Sequence, residues 1–317
     1  MNDQSWKDII LPEYEIRKSK EQKSRFIDML SEKYGDRLHV EKTKGLIKSR
    51  NIVIGDPEHA KVVFTAHYDT CAVMPFPNFI TPKNIPVYLL YQLLLVLVIY
   101  IPVALVVGVS MYLTRGLSES VQIIINEAVF FASLIGVMWL LMDGPANRHT
   151  ANDNTSGVVA VLTLADRMNS DEFAFILFDN EERGLLGSSA YAASHKNVQK
   201  NAIIVNLDCV SDGDYIMFLF SKKMKDGAFA KSLENSAEDV LSEYGKHAIV
   251  TGTFGTVYPS DQAAFNKYLA IAALKKSRCP LIGYYMDKIH TKNDTHFDEN
   301  NITAICTILE NAARSLI

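Results

Sequence analysis

The sequence predicts an α/β fold, a mostly parallel mixed sheet with helices on both faces, interrupted by a two-helix transmembrane hairpin. Three observations predict it. Apolar, β-branched runs of strand length alternate with amphipathic stretches of helical spacing, the pattern of a sheet covered on both faces. Several of those strand-like runs end in, or lie beside, polar clusters. Two long apolar runs stand in the middle of a chain that is otherwise polar.

Taken in order, Lys18–Tyr34 has helical spacing, with Phe26, Ile27, Leu30 and Tyr34 on one face. Leu38–Thr43 and Leu46–Ile54 read as short strands, and Lys61–Ala66 (KVVFTA) as a β-branched strand ending in His67-Tyr68-Asp69. Pro75, Pro77, Pro82 and Pro86 mark an irregular approach to the first apolar run. Beyond the second run, Ser156–Met168 reads as an amphipathic helix, Phe173–Asp179 as a buried strand and Leu185–His195 as a helix. Ala202–Asp208 and Tyr215–Phe220 read as strands and Gly227–Tyr244 as a helix. Ala263–Phe265 lies in a short helix before a strand at Tyr268–Leu274, and Asn300–Ile317 forms the closing helix.

The first apolar run, Pro86–Leu113, is 28 residues without a charge, and in the second, Val121–Met142, only Glu127 ionises. A bilayer core takes roughly 20 apolar residues in a helix. The seven residues Thr114–Ser120 between the runs make a hairpin, with helices about 86–113 and 121–142. Residues 1–78 and 143–317 are then one domain and 79–142 an insertion. Two spans return the chain to one side. With polar residues 1–30 lacking a signal-peptide apolar stretch and four scattered cysteines, that side is expected to be the cytosol. Pro102 is expected to kink the first helix and Gly108 to let its neighbour approach. Glu127 lies in the hydrocarbon if the second helix starts at Val121, and outside it if the helix starts near Ala128. The bilayer is the expected partner, with a homo-oligomer formed through the hairpin as a further expectation. A hairpin that instead covers a dimer interface is the alternative.

The chain has 317 residues, 48% of them hydrophobic and 21% charged, enough to build a core. A net charge of −4 argues against nucleic acid as a partner. The cysteines form no CxxC pair, which argues against a disulfide scaffold and a Cys₄ zinc site. Cys71 and Cys209 flank polar clusters but read as small buried thiols rather than ligands.

Five polar clusters lie at the ends of strand-like runs or beside them: His67-Tyr-Asp69, Asn152-Asp153-Asn154, Asp179-Asn-Glu181-Glu182, Asn206-Leu-Asp208 and Ile289-His290-Thr291. Ligands of open α/β sheets bind outside the carboxyl ends of strands, where distant clusters converge. Histidines with carboxylates are the ligand set of a hydrolytic metal site, and two metals can share one carboxylate.

The ordered set His67-Tyr-Asp69, Asp153-Asn-Thr-Ser156-Gly157, Glu181-Glu182-Arg-Gly184-Leu-Leu-Gly187-Ser188, Asn206-Leu-Asp208 and His290-Thr-Lys-Asn-Asp294-Thr295 resembles the M28 zinc peptidases. The resemblance is to the group of aminopeptidases with a dizinc site, and spans about residues 61–73 and 147–316. It implies a zinc-peptidase-like fold and two Zn²⁺, with Mn²⁺ or Co²⁺ as other divalent occupants. His67 and Asp208 would bind one metal, Glu182 and His290 the other, and Asp153 both. Glu181 would be the general base toward the bridging water. Asp69 would stand behind His67, fixing its tautomer. A cis peptide is implied after Asp153. Where the family often has Ser-Asp-His, this chain has Ser260-Asp261-Gln262, so Gln262 is expected to touch substrate. Tyr258 is expected to reach the scissile carbonyl.

The implied activity is removal of N-terminal residues from peptides by a membrane-anchored metallo-aminopeptidase. A glutaminyl cyclase-like reaction, a peptidase of other polarity and a non-catalytic peptide-binding membrane protein remain as alternatives.

Overall fold

The computed structural model describes residues 5–44, 47–224 and 227–316. Its elements run α1 (Trp6–Glu13), α2 (Lys20–Tyr34), β1 (Leu38–Lys42), β2 (Arg50–Ile54), β3 (Val62–His67), α3 (Ile85–Thr114) and α4 (Glu119–Asp143). They continue with α5 (Gly157–Arg167), β4 (Phe173–Phe178), α6 (Leu186–Ser194), α7 (Lys196–Asn201), β5 (Ile203–Leu207) and β6 (Tyr215–Phe220). The chain closes with α8 (Ala228–Glu243), β7 (His247–Gly252), β8 (Tyr268–Lys276), β9 (Tyr284–Tyr285) and α9 (Glu299–Arg314).

The strands form one mixed sheet in the order β1-β2-β4-β3-β5-β8-β6-β7, with β9 beside β8. Its centre, β4-β3-β5-β8, is parallel. Antiparallel steps attach β2 and β6 to that centre, and β6–β7 is again parallel. The central strands are buried throughout, so their side chains divide between the two faces by the period of two. Phe64, Phe175 and Leu177 enter one core with Phe26 of α2, Leu162 of α5, Phe229 of α8 and Ile305 of α9. Val63, Ile176 and Phe178 enter the other with Tyr191 of α6 and Val198 of α7. Each such side chain contributes roughly 1.5–3 kcal/mol on burial.

α2 starts with a capping box, Ser19 accepting from the Gln22 amide and Gln22 returning the bond. Four elements exceed the sequence expectation. α1 is short and holds Pro12, yet Trp6 and Ile10, four residues apart, bury one face. α7 is a six-residue turn of helix. β7 is an edge strand with no buried residue, so it lacks the apolar run that marks the central strands. β9 is two residues long. The strand expected from Leu46 begins at Arg50; Leu46 lies outside the described residues.

α3 and α4 pack along each other, and their apolar surfaces are almost wholly exposed. By length and composition both could cross a membrane. At ~1.5 Å per residue α3 is about 45 Å long, more than a hydrocarbon core of about 30 Å. α4 starts at Glu119, which puts Glu127 inside the helix. Gly108 is not where the helices approach, because a Cβ there would meet nothing within 4 Å. A polar contact joins them instead: Ser110 Oγ donates to Asn126 Oδ1 at 2.6 Å.

Candidate metal centre

Three parallel strands deliver the first residues to one level. His67 is the last residue of β3 and pairs in register with Phe178 of β4. Thr65 pairs with Asn206, so two residues on, His67 and Asp208 lie level past β5. Past β4 the chain turns sharply at Asn180 (φ 59°), and past β5 at Cys209 (φ 57°). His290 itself has φ 63°. Left-handed backbone in non-glycine residues costs of order 1–3 kcal/mol and collects at functional sites.

Asp153 arrives from the wide turn Ala151–Ser156 that leads into α5. The Asp153–Asn154 peptide is cis, as the resemblance implies. Gly157 permits this approach: a Cβ there would stand 2.2 Å from the Leu207 carbonyl oxygen. Asn154 Nδ2 donates to that same carbonyl at 3.0 Å.

These residues converge on one cavity lined by His67, Asp153, Glu181, Asp208, Tyr258 and His290, together with Asn78, Ile80, Cys209, Pro259 and Ile289. His67 Nε2 lies 3.3 Å from Asp153 Oδ1 and 3.5 Å from Asp208 Oδ1. His290 Nε2 lies 3.1 Å from Asp153 Oδ2 and 3.3 Å from Glu182 Oε2. Asp153 thus offers one oxygen to each of two ligand groups. His67 Nδ1 lies 3.1 Å from the Asp69 carbonyl oxygen, so a proton held there leaves Nε2 free. The Asp69 carboxylate accepts from the amides of Glu181 (3.0 Å) and Glu182 (3.3 Å). Asp69 thus holds His67 through its carbonyl and the paired glutamates through its carboxylate, which stands 3.7 Å from His67 Nδ1.

The electrostatics fit a cation. Glu182 Oε1 and both oxygens of Asp261 are buried without a hydrogen-bond partner among the described residues. Burial pushes Glu181 well above the usual carboxylate range, and the charges of Glu182, Asp261 and Asp208 add to this against His67. Burial likewise raises Glu182 and Asp261 to about 7 each. Asp153, although buried, is held below its ordinary range by the bonds from His290 and His67. Burial pulls His290 down, but Glu182 and Asp153 outweigh it and raise the imidazole to about 9.

A stability prediction follows from these shifts for the metal-free protein. His290, raised from 6.5 to about 9, contributes stability below its unfolded value that is lost as pH rises through about 9. Glu182, raised from 4.5 to about 7, loses its protonated stabilisation over a lower window in the same direction. Chelator-treated protein is therefore expected to show a falling Tm between pH 6 and pH 9. Zinc-loaded protein should resist this fall, because its ligands bind deprotonated. Differential scanning fluorimetry of both forms checks the divergence.

Supporting residues complete the site, Arg17 and Lys23 from outside the motifs and Asp294 from within one. Arg17 is fully buried, donates to the Tyr68 carbonyl (2.6 Å) and to Thr155 Oγ1 (3.1 Å), and is lowered to about 10 by burial. Lys23 pairs with Asp179 and Asn180 just before the paired glutamates. Nothing in the local sequence of either marks it, since both lie in a charged stretch that reads as helix surface. Asp294 accepts from the amides of Asn152 and Asp153, each at 2.9 Å, and so fixes the turn that carries Asp153. It was visible as part of a motif, without a role. Tyr258 lines the cavity, but its hydroxyl donates to the Asp208 carbonyl at 2.9 Å. Gln262 is not among the lining residues: its amide accepts from Asn206 and donates to the Tyr258 carbonyl.

The chain segments on either side of the hairpin meet beside this site. Ala72 bridges Ala146, the Asn147 amide donates to the Cys71 carbonyl, and the Met74 amide to the His290 carbonyl. Asp143, the last residue of α4, pairs with Arg183, the residue after the glutamate pair.

The cluster stands at the carboxyl ends of the central strands of a mixed sheet covered by helices, where open α/β sheets place their ligands. The chain belongs to peptidase family M28, which it matches over residues 138–314. The expected family is thus borne out, over residues that hold four of the five motifs and leave out His67-Tyr-Asp69. Among solved structures it is similar to the LapA aminopeptidase of Legionella pneumophila, at 16% identity over 98% of this chain and 69% of that one (TM-score 0.51). It is also similar to the glutaminyl cyclase of Porphyromonas gingivalis, at 16% identity over 95% and 91% of the two chains (TM-score 0.54). The Macrostomum lignano glutaminyl cyclase matches at 14% identity over 97% and 88% (TM-score 0.55). At these identities the likeness is one of fold. No curated protein matches the chain.

Proposed function

We propose that the protein is a membrane-anchored dizinc aminopeptidase. The observation that carries this reading is the division of Asp153 between two histidine–carboxylate groups, His67 with Asp208 and His290 with Glu182. Unpartnered Glu182 Oε1 and a set of nitrogen and oxygen donors suit zinc. Bound there, two zinc ions would supply Lewis acidity and make water a nucleophile at neutral pH. Glu181, half-buried beside both groups, takes the proton of the attacking water and passes it to the leaving amine. Asp69 acts as a positioning residue, holding His67 and the amides of Glu181 and Glu182. Tyr258, at the cavity wall, meets substrate, while Gln262 acts from behind it.

Residues 1–78 and 143–317 form the peptidase domain in this reading, and 79–142 is the inserted hairpin in the bilayer. The exposed apolar faces of α3 and α4 support that placement. So do the exposed Phe254 and Leu281, whose loops bond to residues 82–84 at the foot of α3. Four free cysteines suit a cytosolic catalytic domain. With the segments on either side of the hairpin meeting beside the site, the substrates are peptides met near the membrane surface.

The test uses full-length zinc-loaded protein and matched peptides with free and acetylated N-termini, one beginning with glutamine. Release of the first residue from free peptides alone is expected. Cleavage of the acetylated peptide would overturn the exopeptidase polarity. Loss of ammonia from the glutamine peptide, with every residue retained, would replace hydrolysis by cyclisation.

A further inference from the structure

The two ligand groups differ in one residue outside the family motifs. Cys71 lies four residues past His67 and is 2% exposed. Its Sγ, a carboxylate oxygen of Glu182 and an imidazole nitrogen of His290 all lie within 4.8 Å of one another. A second observation points to a ligand at the same place. The Glu182 side chain is 7% exposed, and its Oε1 has no hydrogen-bond partner among the described residues. A buried, unpaired carboxylate oxygen is costly unless a cation or donor meets it.

The thiol is held in position. Asn147 Nδ2 lies 3.8 Å from Cys71 Sγ as a donor and also bonds the carbonyls of His149 and Thr291. Backbone bonds from the Asn147 amide to the Cys71 carbonyl and from the Val73 amide to the Pro145 carbonyl fix the chain on both sides. The other cysteines are placed differently. Cys209 lines the cavity but donates to Asp208 Oδ1 at 3.1 Å, in the other half of the centre, Cys306 faces the Ala160 carbonyl, and Cys279 is exposed.

We propose that Cys71 is a metal ligand, completing the Glu182–His290 half of the centre with a sulfur donor. The inference rests on the proposed metal centre and deepens it. As the sulfur–metal bond forms, the thiol proton leaves to solvent. The two halves then differ in kind. Sulfur, nitrogen and oxygen donors in one favour zinc or cobalt over manganese, while the all nitrogen-and-oxygen half at His67 and Asp208 discriminates less. The sulfur-containing half fills first and holds its cation longer.

Cobalt titrated into zinc-free, full-length protein in detergent reads this directly. The first equivalent is expected to give a near-ultraviolet thiolate-to-cobalt charge-transfer band, and the second only visible ligand-field bands. Cys71→Ser should lose the charge-transfer band and keep the ligand-field bands, which report that the variant folds and still binds. Cys209→Ser should keep both. Zinc competition should place one site of Cys71→Ser at more than about 10-fold weaker affinity, a loss seen even for outer contacts of metal ligands. A charge-transfer band that survives Cys71→Ser, or cobalt bound by the wild-type protein with no such band, overturns the assignment. Wild-type protein that binds no cobalt overturns the metal centre itself, and Cys71 with it.

Discussion

Glu181→Gln is expected to abolish most peptide hydrolysis while leaving the bound metal in place. The side chain stands at the cavity wall next to both ligand groups but belongs to neither oxygen pairing of Asp153. Its amide is held by Asp69 whichever side chain it carries. Glutamine keeps the size and loses the ability to accept a proton. General-base losses of this kind are worth roughly 100- to 10,000-fold in rate. Metal content by plasma mass spectrometry, read beside turnover of an unblocked peptide, checks both halves of the expectation. Retained turnover would remove Glu181 from the proton-transfer role.

Asp153→Asn is expected to have the larger effect on the molecule as a whole. Its two carboxylate oxygens face His67 and His290 at 3.3 and 3.1 Å, and an amide offers only one oxygen. The variant should therefore fail to hold two cations at once, and activity should vanish. Its stability should also respond far less to zinc. A ligand at 100 times its Kd stabilises by about 2.7 kcal/mol, which for a domain of this size raises Tm by about 5–10 °C. Wild-type protein should show that rise on zinc addition and Asp153→Asn should lose most of it. A variant that keeps both metals and the full rise would dissolve the shared-carboxylate arrangement.

How much of this was legible follows from where each residue sits. His67, Asp208 and the Glu181-Glu182 pair end or follow buried strands, and strand ends announce themselves as a change from apolar to polar. The central strands and the long helices were legible for the same reason: β3, β4 and β5 are buried on both faces. The supporting groups were not. Arg17 and Lys23 belong to a charged stretch that looks like solvated surface, and only the tertiary fold turns them under Tyr68 and Asp179. Asp261 hid beside Gln262, the residue that drew attention by departing from the family pattern, yet it is Asp261 whose oxygens stand unpartnered. Edge strand β7 has no buried position, so it carries no periodic apolar signal to read. Cys71 read as a small buried thiol, which it is, but sequence could not place it against Glu182 and His290, over 100 residues away.

The most direct test of the central claim is a mass-spectrometric time course on a mixed peptide library. It uses detergent-purified full-length protein, stripped of metal or reloaded with zinc, beside Glu181→Gln. The account predicts stepwise loss of single N-terminal residues, dependent on zinc and absent in the variant. Internal or C-terminal cuts, or an unchanged library in the presence of metal-loaded wild-type protein, would contradict it.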